Sequence, residues 1–149
     1  HLPQQKGGVL ILLDTTENII PASNLNGLSL AFIGDSVFEL LVREHLLRNG
    51  SMPIGKLHSL AVQFVRASAQ SHFFDVAEPY LSEEELSILR RGRNASSSHV
   101  PKGARAIEYR KATGVESLFG WLYLENRQQR IRELFELMLE NFSGEAAEN

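Results

Sequence analysis

Apolar residues recur three and four positions apart along most of this chain, and no sustained period-two alternation appears. The longest such stretch runs from Leu28 to Leu47. Within it Leu30, Ile33, Val37 and Leu41 share one helical face, while Asp35 and Glu39, four apart, share another. Asn24 and Asn26 offer capping side chains before this run. Asn49-Gly50 ends it, because Gly takes the left-handed conformation beyond a helix C-terminus at little cost, so a helix is predicted over 25–48. A second helix is predicted over 54–77, with Leu57, Leu60, Ala61, Phe64 and Val65 at core spacing and Pro79 as the stop. Ser82-Glu83-Glu84-Glu85 forms a Ser-x-x-Glu capping box whose acids suit the positive end of a helix dipole; that helix ends near Arg91-Gly92. Residues 93–103, rich in Asn, Ser, Pro and Gly, read as a loop. Helices follow over 108–126, with Val115, Leu118, Phe119 and Leu122 inward, and over 128–142, with Ile131, Leu134, Phe135 and Met138 inward. The class is all-α. Residues 1–23 are read as an arm, 24–142 as the folded domain and 143–149 as a frayed tail.

A chain of 149 residues, 43% hydrophobic and 22% charged, suits one globular domain with a sizeable core. The absence of cysteine removes disulfides and thiolate metal sites from consideration and fits a reducing compartment. The run Val9–Leu13 is too short for a signal-peptide core and no stretch reaches membrane-spanning length, so a cytoplasmic location is expected. A start at His1 rather than Met points to a trimmed start or added residues.

The net charge of −3 argues against a polyanionic partner, but its distribution argues for one. Between Ser87 and Ala112 lie Arg90, Arg91, Arg93, Lys102, Arg105, Arg110 and Lys111 against Glu108 alone, a local +6 on a remainder of −9. Such a segment is the electrostatic footprint of a nucleic-acid ligand. Arg90, Arg91 and Arg93 lie at a helix end, where they can fan toward one surface, with Asn94 beside them and Lys102 beyond. The competing reading is a solvated loop.

The candidate chemistry lies in two acids among apolar residues. Asp35 follows Gly34 in Phe32-Ile33-Gly34-Asp35-Ser36-Val37; Glu116 sits between Gly114 and Gly120 in the later apolar helix. An unpaired carboxylate in apolar surroundings is costly. Mid-helix glycine costs about 1 kcal/mol against alanine, and it commonly marks a close helix crossing. If the two helices cross at their glycines, two carboxylates meet, and either one keeps a proton or a divalent cation lies between them. Hard oxygen ligands favour Mg²⁺, with Mn²⁺ possible. The alternative is that both acids face solvent or a basic partner. Glu39 could orient a water one turn on, or simply pair with Arg43.

These segments resemble a known family. Asn26-Gly27-Leu28 through Glu39 resembles the ribonuclease III signature segment, and is most similar to the Mini-III ribonucleases. Arg90-Arg91-Gly92-Arg93-Asn94-Ala95 with Val100-Pro101-Lys102 resembles the Mini-III basic loop. Tyr109-Arg110-Lys111-Ala112-Thr113 through Glu116 to Gly120, then Tyr123-Leu124, resembles the second acidic motif. The likeness covers residues 24–140. Two glutamates of the larger family's first motif fall on Leu28 and Ala31 here, and the second motif's aspartate falls on Thr113, as in the reduced acidic set of the Mini-III branch. The resemblance implies an all-helical homodimer without a double-stranded-RNA-binding domain. It implies Asp35 and Glu116 as catalytic, Mg²⁺-holding acids, and Phe32 at the dimer interface; Glu39 and Thr113 are candidate outer groups by their position. The substrate it implies is double-stranded RNA, cleaved to 5′-phosphate and 3′-hydroxyl ends during maturation of ribosomal RNA, the 23S precursor in particular. RNA contacts are expected from Arg90, Arg91, Arg93, Asn94, Lys102, Arg110 and Lys111. Two other readings stand beside this one: an inactive ribonuclease III-like module that binds RNA or the ribosome, and a plain helical dimerisation domain.

Overall fold

The computed structural model describes residues 21–95 and 105–142. Six helices make up the fold: α1 (Gly27–Arg48), α2 (Ile54–Val65), α3 (Ala67–Ala77), α4 (Glu83–Asn94), α5 (Ala106–Leu124) and α6 (Gln128–Glu140). Short 3-10 turns lie at Ala22–Asn24 and Glu78–Tyr80. No strand occurs among the described residues, and no helix there is long and apolar enough to cross a membrane. The predicted basic loop 93–103 falls largely outside the described residues, as do most of the N-terminal arm and the tail.

The caps act where the side chains allow. Asn26 accepts from the Ser29 amide at 2.8 Å and starts α1, and Gly50 ends that run in the left-handed region (φ 112°). The capping box of α4 is complete: Ser82 Oγ accepts from the Glu85 amide at 3.2 Å and Glu85 Oε1 accepts from the Ser82 amide at 2.9 Å. The same Glu85 carboxylate is 3% exposed and takes a fork from Arg130 at 2.8 and 2.9 Å, tying α4 to α6.

The single helix predicted over 54–77 is two helices. Arg66 between them is extended (φ −66°, ψ 154°). The reason is angular. Phe64 and Phe73 are nine residues apart, which on one continuous helix sets them about 180° apart. Both are buried in the same core, so the chain must turn between them. In α1 the buried stripe is Gly27, Leu30, Ala31, Gly34, Phe38, Val42 and Leu46, while Ile33, Val37 and Leu41 flank it half-buried; the expected face is therefore displaced toward the glycines. Phe38 centres the core, with ring centroids 5.4 Å from Phe119, 5.8 Å from Phe135 and 6.0 Å from Phe73. The two edge-on pairs, with Phe119 and Phe135, add about 0.5–1.5 kcal/mol each beyond area burial. Helix α5 runs through the middle, with both its sides covered; its strongest contacts are with α1, α4 and α3.

Candidate active site

Helices α1 and α5 cross at Gly34 and Gly120. A Cβ on Gly34 would overlap the Glu116 carbonyl, and one on Gly120 would overlap the Leu30 carbonyl, so only glycine admits this approach. The crossing sets Asp35 beside Glu116. Their carboxyl groups lie within hydrogen-bonding reach of one another, and the Gln70 amide of α3 is within reach of Glu116 as well. Burial first, and then the Asp35 charge and hydrogen bond, push Glu116 up to about 8; the Gln70 amide pulls the other way. The two acids singled out by their glycine neighbours therefore do meet, and at neutral pH one of them keeps a proton unless a cation takes its place. Among the described residues no group of three or more His, Asp or Glu side chains gathers to hold a metal, and at the crossing the oxygen donors that meet are those of Asp35 and Glu116.

The outer acid and hydroxyl take other partners. Glu39 pairs with Arg43 at 2.7 Å on the exposed side of α1. Thr113 is buried, its hydroxyl donating to the Tyr109 carbonyl at 2.9 Å. Two buried polar residues near the crossing were not apparent from the sequence. Ser117 Oγ, fully buried, lies 2.7 Å from the Gly27 carbonyl and 2.8 Å from the Thr113 carbonyl, donating to one at a time, and so ties the start of α1 to α5. Gln70 is 2% exposed. Its signal was a polar residue three, four and seven positions before Phe73, Phe74 and Ala77, visible only once α3 is separated from α2.

The basic residues surround the end of α4 and the start of α5, and four of them have partners within the fold. Arg90 pairs with Glu78 at 3.5 Å, and Arg91 donates to the Leu25 carbonyl at 2.9 Å. Arg93 donates to Asn94 Oδ1 at 3.2 Å and lies 5.7 Å from the centre of the Phe74 ring. Lys111 pairs with Asp75 at 2.9 Å and lies 5.6 Å from the same ring, which brings the end of α4 and the first turns of α5 together. Arg110 is exposed on α5. Lys102 lies outside the described residues.

Phe32, three residues before Asp35, is 84% exposed, which excludes a role in this chain's own core. Leu28, Leu40 and Leu47 are exposed along the same helix. Between Leu40 and α6 lies a cavity of about 100 Å³ lined by Val37, Leu41, Tyr123 and Ile131.

The Ribonuclease III domain family matches residues 28–127. The chain is 45% identical over 124 residues to a Mini-ribonuclease 3 of Desulfitobacterium hafniense, covering 83% of this chain and 78% of that protein. It is 40% identical over 126 residues to a Mini-ribonuclease 3 of Clostridium tetani, covering 84% and 83% respectively. A crystal structure of a Fusobacterium nucleatum protein superposes with a TM-score of 0.73 at 29% identity, over 79% of this chain and 94% of that one.

Proposed function

Since this chain belongs to the ribonuclease III family, in its Mini-ribonuclease 3 branch, we propose that it is a divalent-metal-dependent endoribonuclease that hydrolyses double-stranded RNA at Asp35 and Glu116. The observation that carries the reading is the meeting of these two carboxyl groups at a helix crossing that only glycines permit. The donor set fits a hard cation: both groups are oxygen ligands, and burial with the neighbouring Asp35 makes the Glu116 carboxylate costly until positive charge arrives. Mg²⁺ is the proposed ion, with Mn²⁺ able to replace it. The chemistry a bound divalent cation supplies is activation of water and stabilisation of charge on the phosphoryl group and leaving oxygen. The chain's part is positional. Asp35 and Glu116 project from rigid helices rather than loops, and Gly34 and Gly120 fix the separation of those helices.

Arg93, Arg110 and Lys111, with Arg90, Arg91, Asn94 and Lys102, are the proposed RNA grip. A-form RNA offers a deep, narrow major groove that side chains cannot read, so recognition falls on phosphates and 2′-hydroxyls. The exposed Phe32 face of α1 is proposed to bury itself against a second copy. Asp35 lies one turn from Phe32, so a two-fold dimer sets two centres along one duplex, one per strand. The natural substrate proposed is a ribosomal RNA precursor, cut to 5′-phosphate and 3′-hydroxyl ends. An inactive RNA-binding module would leave the carboxyl pair without a purpose.

The test is cleavage of a plain RNA duplex in Mg²⁺, with the separated strands as control. The wild-type protein should cut the duplex alone, and Asp35→Asn, with its fold unchanged by circular dichroism, should lose cutting. Near wild-type cutting by Asp35→Asn would refute the assignment.

A further inference from the structure

Gln70 has more hydrogen-bonding capacity than the folded chain uses. The amide carries two donors and two acceptor positions. One donor goes to the Val65 carbonyl at 2.9 Å, the last carbonyl of α2 before the break at Arg66. The amide also stands within hydrogen-bonding reach of the Glu116 carboxyl. Its Oε1 is buried with no donor from the described residues. A buried amide oxygen without a partner is a standing loss of about 1–3 kcal/mol unless an ordered water serves it. Packing alone gives no reason to keep that loss, since Met or Leu would fill the same buried position on the helix face shared with Phe73, Phe74 and Ala77.

We propose that Gln70 is a positioning residue: tied to α2 through Val65, its amide fixes the direction of the Glu116 carboxyl toward the cation shared with Asp35. The proposal rests on the cation reading of the carboxyl pair. The residue type suits the task. Lys or Arg here would pair with Glu116 and cancel the charge that holds the cation. Asp or Glu would repel it. A neutral amide orients a carboxylate by one N–H and leaves its charge available. The break between α2 and α3 serves the same end, because on one continuous helix α2 and α3 could not both face the core and Gln70 would be turned away from α5.

Gln70→Met keeps length and volume and removes both polar ends. Mn²⁺ binding to the full chain, measured by calorimetry, separates positioning from stability. The outer partner of a metal ligand is worth roughly 10–100-fold in metal affinity. Gln70→Met should weaken Mn²⁺ binding by about that factor, lower kcat on duplex RNA at limiting Mg²⁺, and leave KM for the duplex unchanged. A structural role alone would lower Tm and leave Mn²⁺ affinity untouched; that result overturns the proposal. If Gln70→Met does not fold, Gln70→Asn decides, its amide one methylene too short to span Val65 and Glu116. A folded Gln70→Asn with wild-type Mn²⁺ affinity overturns the proposal equally. Wild-type protein that takes up no Mn²⁺ rejects the cation reading itself, and this inference with it.

Discussion

Adding one methyl group at Gly34 should damage stability and catalysis together. In Gly34→Ala the new Cβ would overlap the Glu116 carbonyl oxygen and stand 2.6 Å from its carbon and 2.8 Å from the Gly120 nitrogen. Non-bonded carbons rest about 3.5–4.0 Å apart, and the overlapped carbonyl oxygen needs still more room, so the α1–α5 crossing must open by more than about 1 Å. All three obstacles are backbone, and no rotamer change relieves them. Overpacking of this kind costs about 1–3 kcal/mol, the upper end applying here, against a helix-propensity gain of up to about 1 kcal/mol. The net loss is about 2 kcal/mol, or about 5–10 °C in Tm for a domain of this size. The helices that move apart carry Asp35 and Glu116, and a displacement of about 1 Å at reacting groups can cost about 100-fold in rate. Gly55→Ala is the internal control. Gly55 lies in α2 with nothing within 4 Å of its added Cβ, so it should stabilise by up to about 1 kcal/mol and leave the rate unchanged. The assay is thermal unfolding by circular dichroism with single-turnover duplex cleavage well below both midpoints. Wild-type Tm and rate in Gly34→Ala would refute the claim that this crossing builds the site.

Three further outcomes follow from other parts of the fold. Phe32→Ala should weaken self-association by about 1.5–3 kcal/mol, roughly 10–100-fold in Kd, without lowering the stability of the single chain; a wild-type protein that sediments as a monomer at working concentration contradicts the dimer. Glu85→Gln strips a charged partner from Arg130 and should cost about 1.5–3 kcal/mol at pH 7. Burial raises the Glu85 pKa, but the Arg130 and Ser82 hydrogen bonds outweigh it and hold the group below its usual value. Its contribution is therefore complete above the ordinary carboxylate range and lost as pH falls through the depressed value, so denaturant titrations of variant and wild type should converge in acid. Alanine at both Arg93 and Arg110 should weaken duplex binding, measured in Ca²⁺, and flatten log affinity against log salt by roughly two units; an unchanged slope sends the RNA to another surface.

The capping signals were legible from the sequence because they act locally: Asn26, Ser82 with Glu85, and Gly50 each do what their residue type allows. The pairing of Asp35 with Glu116 was legible only as a conditional, since glycine marks a close approach without saying to which helix. Other features escaped. The break at Arg66 carries no Gly or Pro; it is imposed by a core that needs both Phe64 and Phe73 on one side. Gln70 was hidden by that same error, because on an unbroken helix it falls away from Phe64's face. Glu85 looked like an ordinary first-turn acid, and its burial depends on Arg130, 45 positions later. Local chemistry can be read along the chain, whereas partners across it are set by packing.

If Asp35 and Glu116 form one cation-holding centre, the titration of the Glu116 side-chain carboxyl, followed by ¹³C NMR with and without Mg²⁺, must respond to the cation. Without the cation Glu116 should ionise near pH 8. A raised folded-state value means that the folded chain keeps a proton the unfolded chain gives up. Metal-free stability should then fall as pH rises from 4.5 toward 8, by at most about 1.4 kcal/mol per pH unit. Mg²⁺ should bring the Glu116 titration down by several units and reverse that loss. Ionisation of metal-free Glu116 in the ordinary carboxylate range, or a value near 8 that saturating Mg²⁺ does not move, would rule out a cation centre shared by Asp35 and Glu116.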